Sequence, residues 1–180
     1  MNVLFVSHST NLSGAPLSCF HLMSRLGREF TPLFASPGIG PLTSRIEEHG
    51  IRHFEITGKG FLGLGYIFSF KRLMKRERVD VVHLNTLTPF SKYAGIAAFL
   101  LGIPVVWFVR ENPLISRSRR LMRWARLIAK KIVFVDNMTR HQSLPQEGAP
   151  RVETLYNGVD LEAFRPVAGN FLHEKFGFAP

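Results

Sequence analysis

A chain of 180 residues with 46% hydrophobic and 20% charged residues is long enough for one domain with a proper core and too apolar to stay disordered. Its single cysteine, Cys19, excludes an intrachain disulfide, and its seven histidines, with no Cys cluster beside them, are read as offering no metal site. The net charge of +10 is concentrated: Lys71, Arg72, Lys75, Arg76 and Arg78 against Glu77, then Arg110, Arg117, Arg119, Arg120, Arg123, Arg126, Lys130 and Lys131 against Glu111, account for all of it.

Met1-Asn2 leads directly into Val3-Leu4-Phe5-Val6. That run is too short for the apolar core of a secretory signal and has no basic residue ahead of it; it begins a predicted strand over 2–7. The loop from Ser7-His8 to Ser13-Gly14-Ala15-Pro16 then opens a helix over 14–27, with Cys19 as a small buried hydrophobe of a reducing compartment. Small residues let backbone N–H groups approach a ligand, Pro16 suits a first helical turn, and the helix N-terminus favours an anion such as a diphosphate. An ordinary strand–helix connection is the competing reading, because Gly14 is the loop's one glycine and neither G-x-G-x-x-G nor a Walker loop is present. His8 opens this loop.

A strand over 31–35, a helix over 41–49 closed by Gly50, and a strand over 52–56 follow. The apolar run Phe61–Phe68 precedes five basic residues in a helix over 64–78. The next strand, 80–84, ends Val81-Val82-His83-Leu84-Asn85-Thr86. A polar residue at a strand's C-terminal end faces the cleft, which makes Asn85 a ligand contact, whereas His83 among valines reads as a hydrogen-bonded core histidine. A helix over 89–101 stops at Gly102, and Pro104 opens a strand over 104–109. The longest apolar tracts, 61–70 and 94–101, fall short of the roughly 20 residues of a membrane span.

Arg110 and Glu111 emerge from that wholly apolar fifth strand. Arg110 suits a bidentate clamp on a phosphate or carboxylate, and Glu111 a hydrogen bond to, or a proton from, a hydroxyl. A structural ion pair bracing the loop is the other reading. In the helix over 117–130, Leu121, Trp124, Ala125 and Ile128 share one face and Arg119, Arg123, Arg126 and Lys130 another. Such a basic amphipathic helix reads as an anionic-membrane or anionic-ligand surface, or else as a core face backed by a solvated one. With few aromatics among the basic residues and no recognition motif, nucleic acid is not an expected partner. A strand over 132–135, a helix over 137–144 and a strand over 152–156 complete the alternation. Strands alternating with helices give an α/β class: a Rossmann-like parallel sheet of about seven strands with helices on both faces.

Residues 151–166, Arg-Val-Glu-Thr-Leu-Tyr-Asn-Gly-Val-Asp-Leu-Glu-Ala-Phe-Arg-Pro, resemble the junction between the halves of a GT-B glycosyltransferase of family 4, where I-x-N-G-V-D-x-x-x-F-x-P closes the first domain. Ser13-Gly14-Ala15, Asp80-Val81-Val82-His83, Gly102-Ile103-Pro104-Val105-Val106 and Ile132-Val133-Phe134-Val135 fall in the family's order. The resemblance implies one half of a GT-B fold: residues 1–166 as the N-terminal, acceptor-side domain, and 167–180 as linker and the start of a truncated C-terminal donor domain. It implies a hexosyltransferase that moves a sugar with retention from a nucleotide-sugar donor to a glycan or lipid-linked acceptor. The nucleotide-sugar is substrate, no cofactor or metal is needed, and the chain is inactive without its missing C-terminal domain.

By the same resemblance, Ser13, Gly14 and Ala15 occupy the place of a Gly-Gly-Ala/Ser loop for the acceptor or donor phosphate. His8 and Asn85 become acceptor-binding residues, and Asn157 and Gly158 form the domain junction. Arg110 and Glu111, read as catalytic from their own chemistry, depart here from the His-Asp pair that many members carry at this strand's end, so no histidine role carries over. Arg119, Arg123, Arg126 and Lys130 become a membrane patch of a cytoplasmic enzyme peripheral on the inner membrane face. Two alternatives stay open, a subunit of a split glycosyltransferase and a non-enzymatic module for anionic membranes. The missing glycine fingerprint disfavours a nucleotide-binding oxidoreductase.

Overall fold

Seven apolar runs, short and rich in β-branched residues, form strands that pair without exception in parallel, which is why each is separated from the next by a helix. The computed structural model describes residues 1–58, 63–111, 116–143, 151–158, 161 and 171–177. In chain order the elements are β1 Asn2–Val6, α1 Gly14–Met23, β2 Thr31–Ser36, α2 Pro41–Glu48, β3 Arg52–Glu55, α3 Leu64–Arg76 and β4 Val81–Leu84. They continue with α4 Pro89–Leu100, β5 Val105–Val109, α5 Ser116–Ile128, β6 Lys131–Phe134, α6 Asn137–Ser143, β7 Val152–Thr154 and α7 Phe171–Phe176. The sheet order is β3-β2-β1-β4-β5-β6-β7. This is the Rossmann-like α/β architecture that the alternation of elements predicts.

Period-two alternation sends successive side chains to opposite faces, and both faces are covered. Leu4 and Val6 of β1 join Leu33, Val82, Leu84, Trp107 and Phe134 beneath α3, α4 and α5. Val3 and Phe5 join Phe34 beneath α1 and α2. Local signals set the helix ends. Pro41 and Pro89 sit at the first turns of α2 and α4, and the Thr88 hydroxyl accepts the Ser91 N–H. Gly102 ends α4 in the left-handed conformation, φ +69°, that the turn into β5 requires.

Helix α1 stops at Met23 rather than at residue 27. Arg25 and Leu26 hydrogen-bond back only three residues, to Leu22 and Met23, and Gly27 then turns the chain towards β2. Cys19 is fully buried, and burial pushes its thiol up to about 12. Among the described residues no helix is long and apolar enough to cross a membrane.

His83 is buried between Phe5 and Phe108, with ring centroids 4.8 and 6.0 Å away. The hydrogen bond expected at this core histidine is missing at Nδ1, which has no partner. Burial, then the positive charge of Arg110, pushes the imidazole down to about 4 from its usual 6.5. A base whose folded pKa is depressed binds its proton more readily when unfolded, so its neutral form supports folding above pH 6.5 and that support is lost as pH falls towards 4. The loss should reach about 3 kcal/mol. Denaturant unfolding of wild type and His83→Leu across this window should show a shallower pH slope in the variant; equal slopes would remove His83 from the acid response.

Candidate functional site

The order of the sheet reverses direction between β1 and β4, and the carboxyl ends of strands on either side of such a point frame a ligand crevice. His8 follows β1, Asn85 and Thr86 follow β4, Arg110 and Glu111 follow β5, and Asp136 stands two residues beyond β6. The topology therefore brings together His8, Asn85, Arg110 and Glu111, which the sequence singles out separately.

Arg110 is the hub. Its Nε donates to Asn85 Oδ1 at 3.3 Å, one terminal nitrogen to Asn157 Oδ1 at 2.6 Å and the other to Ser18 Oγ at 2.9 Å. Ser18 in turn donates to Asn157 Oδ1 at 3.1 Å, and the buried Asn85 donates through Nδ2 to Ala15 O at 2.8 Å. The guanidinium carbon lies 4.2 Å from the centroid of the Phe108 ring. All three side-chain oxygens on Arg110 are neutral, and among the described residues no carboxylate stands within ion-pair distance of it. Three of the five guanidinium N–H groups are engaged, which leaves two for a ligand.

The structural ion pair between Arg110 and Glu111 does not form. The Glu111 carboxylate turns to the backbone, where Oε2 accepts the Arg110 N–H at 3.2 Å. Burial raises the Glu111 pKa; the N–H groups of Leu87, Arg110 and Glu111, and the neighbouring His8, hold it back only in part. Glu111 is thus a half-buried carboxyl poised above the usual carboxylate range at the mouth of the crevice. His8 is exposed and anchored through Nδ1 to Thr86 Oγ1 at 3.0 Å. Thr86 is itself fixed from the core by Trp107, whose Nε1 donates to its carbonyl at 2.9 Å.

Ser13 caps α1 in extended backbone without a side-chain hydrogen bond, and no acidic residue occupies the first turn. A Cβ on Gly14 would meet no atom within 4 Å. The chain's own packing does not demand glycine there. Asn157 reaches the crevice through Arg110 and Ser18; Gly158 follows it, while Val159 and Asp160 of the junction motif lie outside the described residues.

The basic helix lies apart from the crevice. Leu121, Met122, Ala125, Ile128 and Ala129 of the α5 region pack into the core, while Arg119, Arg123, Arg126 and Lys130 are exposed. Trp124, on the apolar side by spacing, is 39% exposed, with Lys92 Nζ 5.6 Å from its ring. Leu127 on α5 and Leu64 and Phe68 on α3 are more exposed still. Phe61 falls outside the described residues.

Sequence reading misses Ser18, Thr86, Asp136 and Tyr156. Asp136 carries the signal that marks Asn85, a polar residue just past an apolar strand; Ser18 carries none. A cavity of about 420 Å³ opens beside Arg110, walled by Asp136, Asn137, Met138, Thr139 and Gln142 around the start of α6 and by Tyr156 after β7. Among the described residues no three His, Cys, Asp or Glu side chains gather where they could hold a metal ion.

A family model described as Glycosyltransferase Family 4 matches residues 13–163. None of the curated proteins matches the sequence. Among solved structures the fold is similar to that of Anabaena Alr3699/HepE in complex with UDP-glucose, with TM-score 0.80 and 18% identity over 98% of this chain and 50% of that one. A glycosyltransferase from Rickettsia africae is similar at TM-score 0.73 and 19% identity, over 99% and 50% of the two chains. MurG of Acinetobacter baumannii is similar at TM-score 0.63 and 19% identity, over 92% and 48%. The chain spans about half the length of each of these proteins.

Proposed function

Because the chain belongs to glycosyltransferase family 4, we propose that it is the acceptor-binding half of a retaining GT-B enzyme, which moves a hexosyl group from a nucleotide-sugar to a glycan or lipid-linked acceptor. The observation that carries this reading is the Arg110 hub, a cation with spare donors that ties the ends of β4 and β5, the first turns of α1 and Asn157 into one crevice. A UDP-sugar donor is supported by the HepE complex with UDP-glucose.

In the reaction the acceptor oxygen forms a bond to the anomeric carbon, the bond to the diphosphate breaks, and the hydroxyl proton is released. Glu111, with its raised pKa, receives or orients that proton. The free N–H groups of Arg110 and the backbone around Ser13, Gly14 and Ala15 face the diphosphate charge. His8 and Asn85 position the acceptor. The grip on the nucleotide comes from a second domain, so residues 1–180 alone should release no UDP from UDP-glucose with any acceptor. UDP release by the purified chain, with no partner present, would overturn the half-enzyme reading.

The exposed Trp124 and Leu127 on α5, which also carries Arg119, Arg123 and Arg126 ahead of Lys130, and the exposed Leu64 and Phe68 on the basic helix α3, support a location at an anionic membrane, on its cytoplasmic face, where a lipid-linked acceptor would be presented. Each basic residue near an anionic leaflet contributes about 1 kcal/mol. Changing Arg119, Arg123 and Arg126 to Ser should therefore weaken liposome binding roughly a hundredfold. High salt should remove the Coulombic part and leave the apolar part. Equal binding to neutral and anionic liposomes, or no effect of the triple change, would reduce the patch to a solvated face.

A further inference from the structure

The cavity next to Arg110 has a wall chemistry that the crevice between β1 and β4 lacks. Its volume, about 420 Å³, lies within the range of roughly 300–1,000 Å³ of small-molecule sites. Asp136 is held rigid by Thr139, whose backbone N–H donates to Oδ1 at 2.6 Å and whose hydroxyl donates to Oδ2 at 2.9 Å. A carboxylate accepts at about four lone-pair positions, so both oxygens keep capacity for further donors. The amides of Asn137 and Gln142 make no hydrogen bond with any described residue. Tyr156 is 62% exposed, with neither its ring nor its hydroxyl engaged by a described residue.

A fixed carboxylate, two unengaged amides and an open aromatic face around one cavity suit a neutral ring that carries hydroxyls on its rim and C–H groups on its faces. The hydroxyls donate to Asp136 and both donate to and accept from the amides, while a C–H face lies on the Tyr156 ring. Arg110 also lines the cavity and makes an anion the competing occupant; the Asp136 carboxylate, which would repel one, and the two neutral amides favour the neutral ring. Building on the acceptor-half reading, we propose that the cavity bounded by Asp136, Asn137, Gln142 and Tyr156 is a pyranose subsite for the acceptor glycan, with Tyr156 as its stacking platform.

The test follows the side-chain amide signals of Asn137 and Gln142 in the 180-residue chain by NMR. Methyl glycosides of glucose, galactose, mannose and N-acetylglucosamine are titrated in up to their solubility, with UDP as comparator. At least one glycoside should shift both amides while UDP leaves them in place. Tyr156→Ala should weaken that glycoside about tenfold and Tyr156→Phe should retain it. Gln142→Ala, on the exposed side of α6, repeats the test without touching the segment after β7, and unchanged β1–β5 amide signals establish that each variant is folded. The proposal falls if none of the four glycosides shifts the two amides, if UDP shifts them instead, or if Tyr156→Ala binds as tightly as wild type. Such a failure leaves the half-enzyme reading intact, since that reading is decided by UDP release from the isolated chain.

Discussion

Replacing Trp107 by alanine is expected to cost about 3–5 kcal/mol of folding stability, the usual loss for a large aromatic cut from a core. Trp107 has no exposed surface and is the largest of the fully buried side chains. Helix α4 packs closely against it because Gly95 has no side chain: a Cβ there would already lie 3.5 Å from the indole and 3.2 Å from Leu84. Alanine would also orphan the Thr86 carbonyl that the indole N–H serves. Against a total of about 5–15 kcal/mol for a typical protein, the loss would leave little reserve. Urea titration should show a lower midpoint at unchanged slope, and Trp107→Phe should lose less. A loss below about 1 kcal/mol would contradict the packing described for this site.

The second large effect concerns turnover. If the chain acts with a donor half as proposed, Glu111→Gln in that enzyme should lower kcat by about a hundredfold or more, the scale of a lost general acid or base. The fold should not suffer. A carboxyl whose folded pKa is raised opposes folding once it ionises, so its contribution is best at low pH and is lost as pH rises through the raised value. At neutral pH the amide should therefore leave the thermal midpoint unchanged or slightly higher. The activity of wild type should fall with acidification at a pH above the ordinary carboxylate value. Near-normal turnover with a lowered midpoint would make Glu111 a structural brace.

The strands and most helix ends could be read from periodicity because they depend on local chemistry: apolar runs, Pro at first turns, Gly beyond last ones. Asn85, Arg110 and His8 could be placed at the crevice for the same reason, as polar residues following buried strands. What Arg110 does there could not be read, because its partners Ser18 and Asn157 stand 92 and 47 residues away in the chain. The fate of Glu111 was equally hidden. Adjacent opposite charges suggest a pair, but the carboxylate is taken by backbone N–H groups whose positions only the folded turn fixes. His83 reads correctly as buried, yet its unpartnered Nδ1 depends on the two phenylalanine rings that the sheet brings beside it.

The position of β1 has a consequence for synthesis. It precedes its sheet neighbours β2 and β4 in the chain and lies inside the sheet, and its pairing with β4 joins Val3 to Val81 and Val6 to Leu84. On a ribosome adding about 5–20 residues per second, one edge of β1 waits roughly 4–16 s for its partner to be made. During that interval β2 can dock on the other side, through Asn2↔Thr31 to Val6↔Ala35, but Leu4 and Val6 lack α3 until its end and α4 throughout. The nascent chain therefore passes through a stage with an open strand edge beside uncovered apolar side chains. This is where a holding chaperone would act, and where slow codons between β1 and β4 would prolong the exposure.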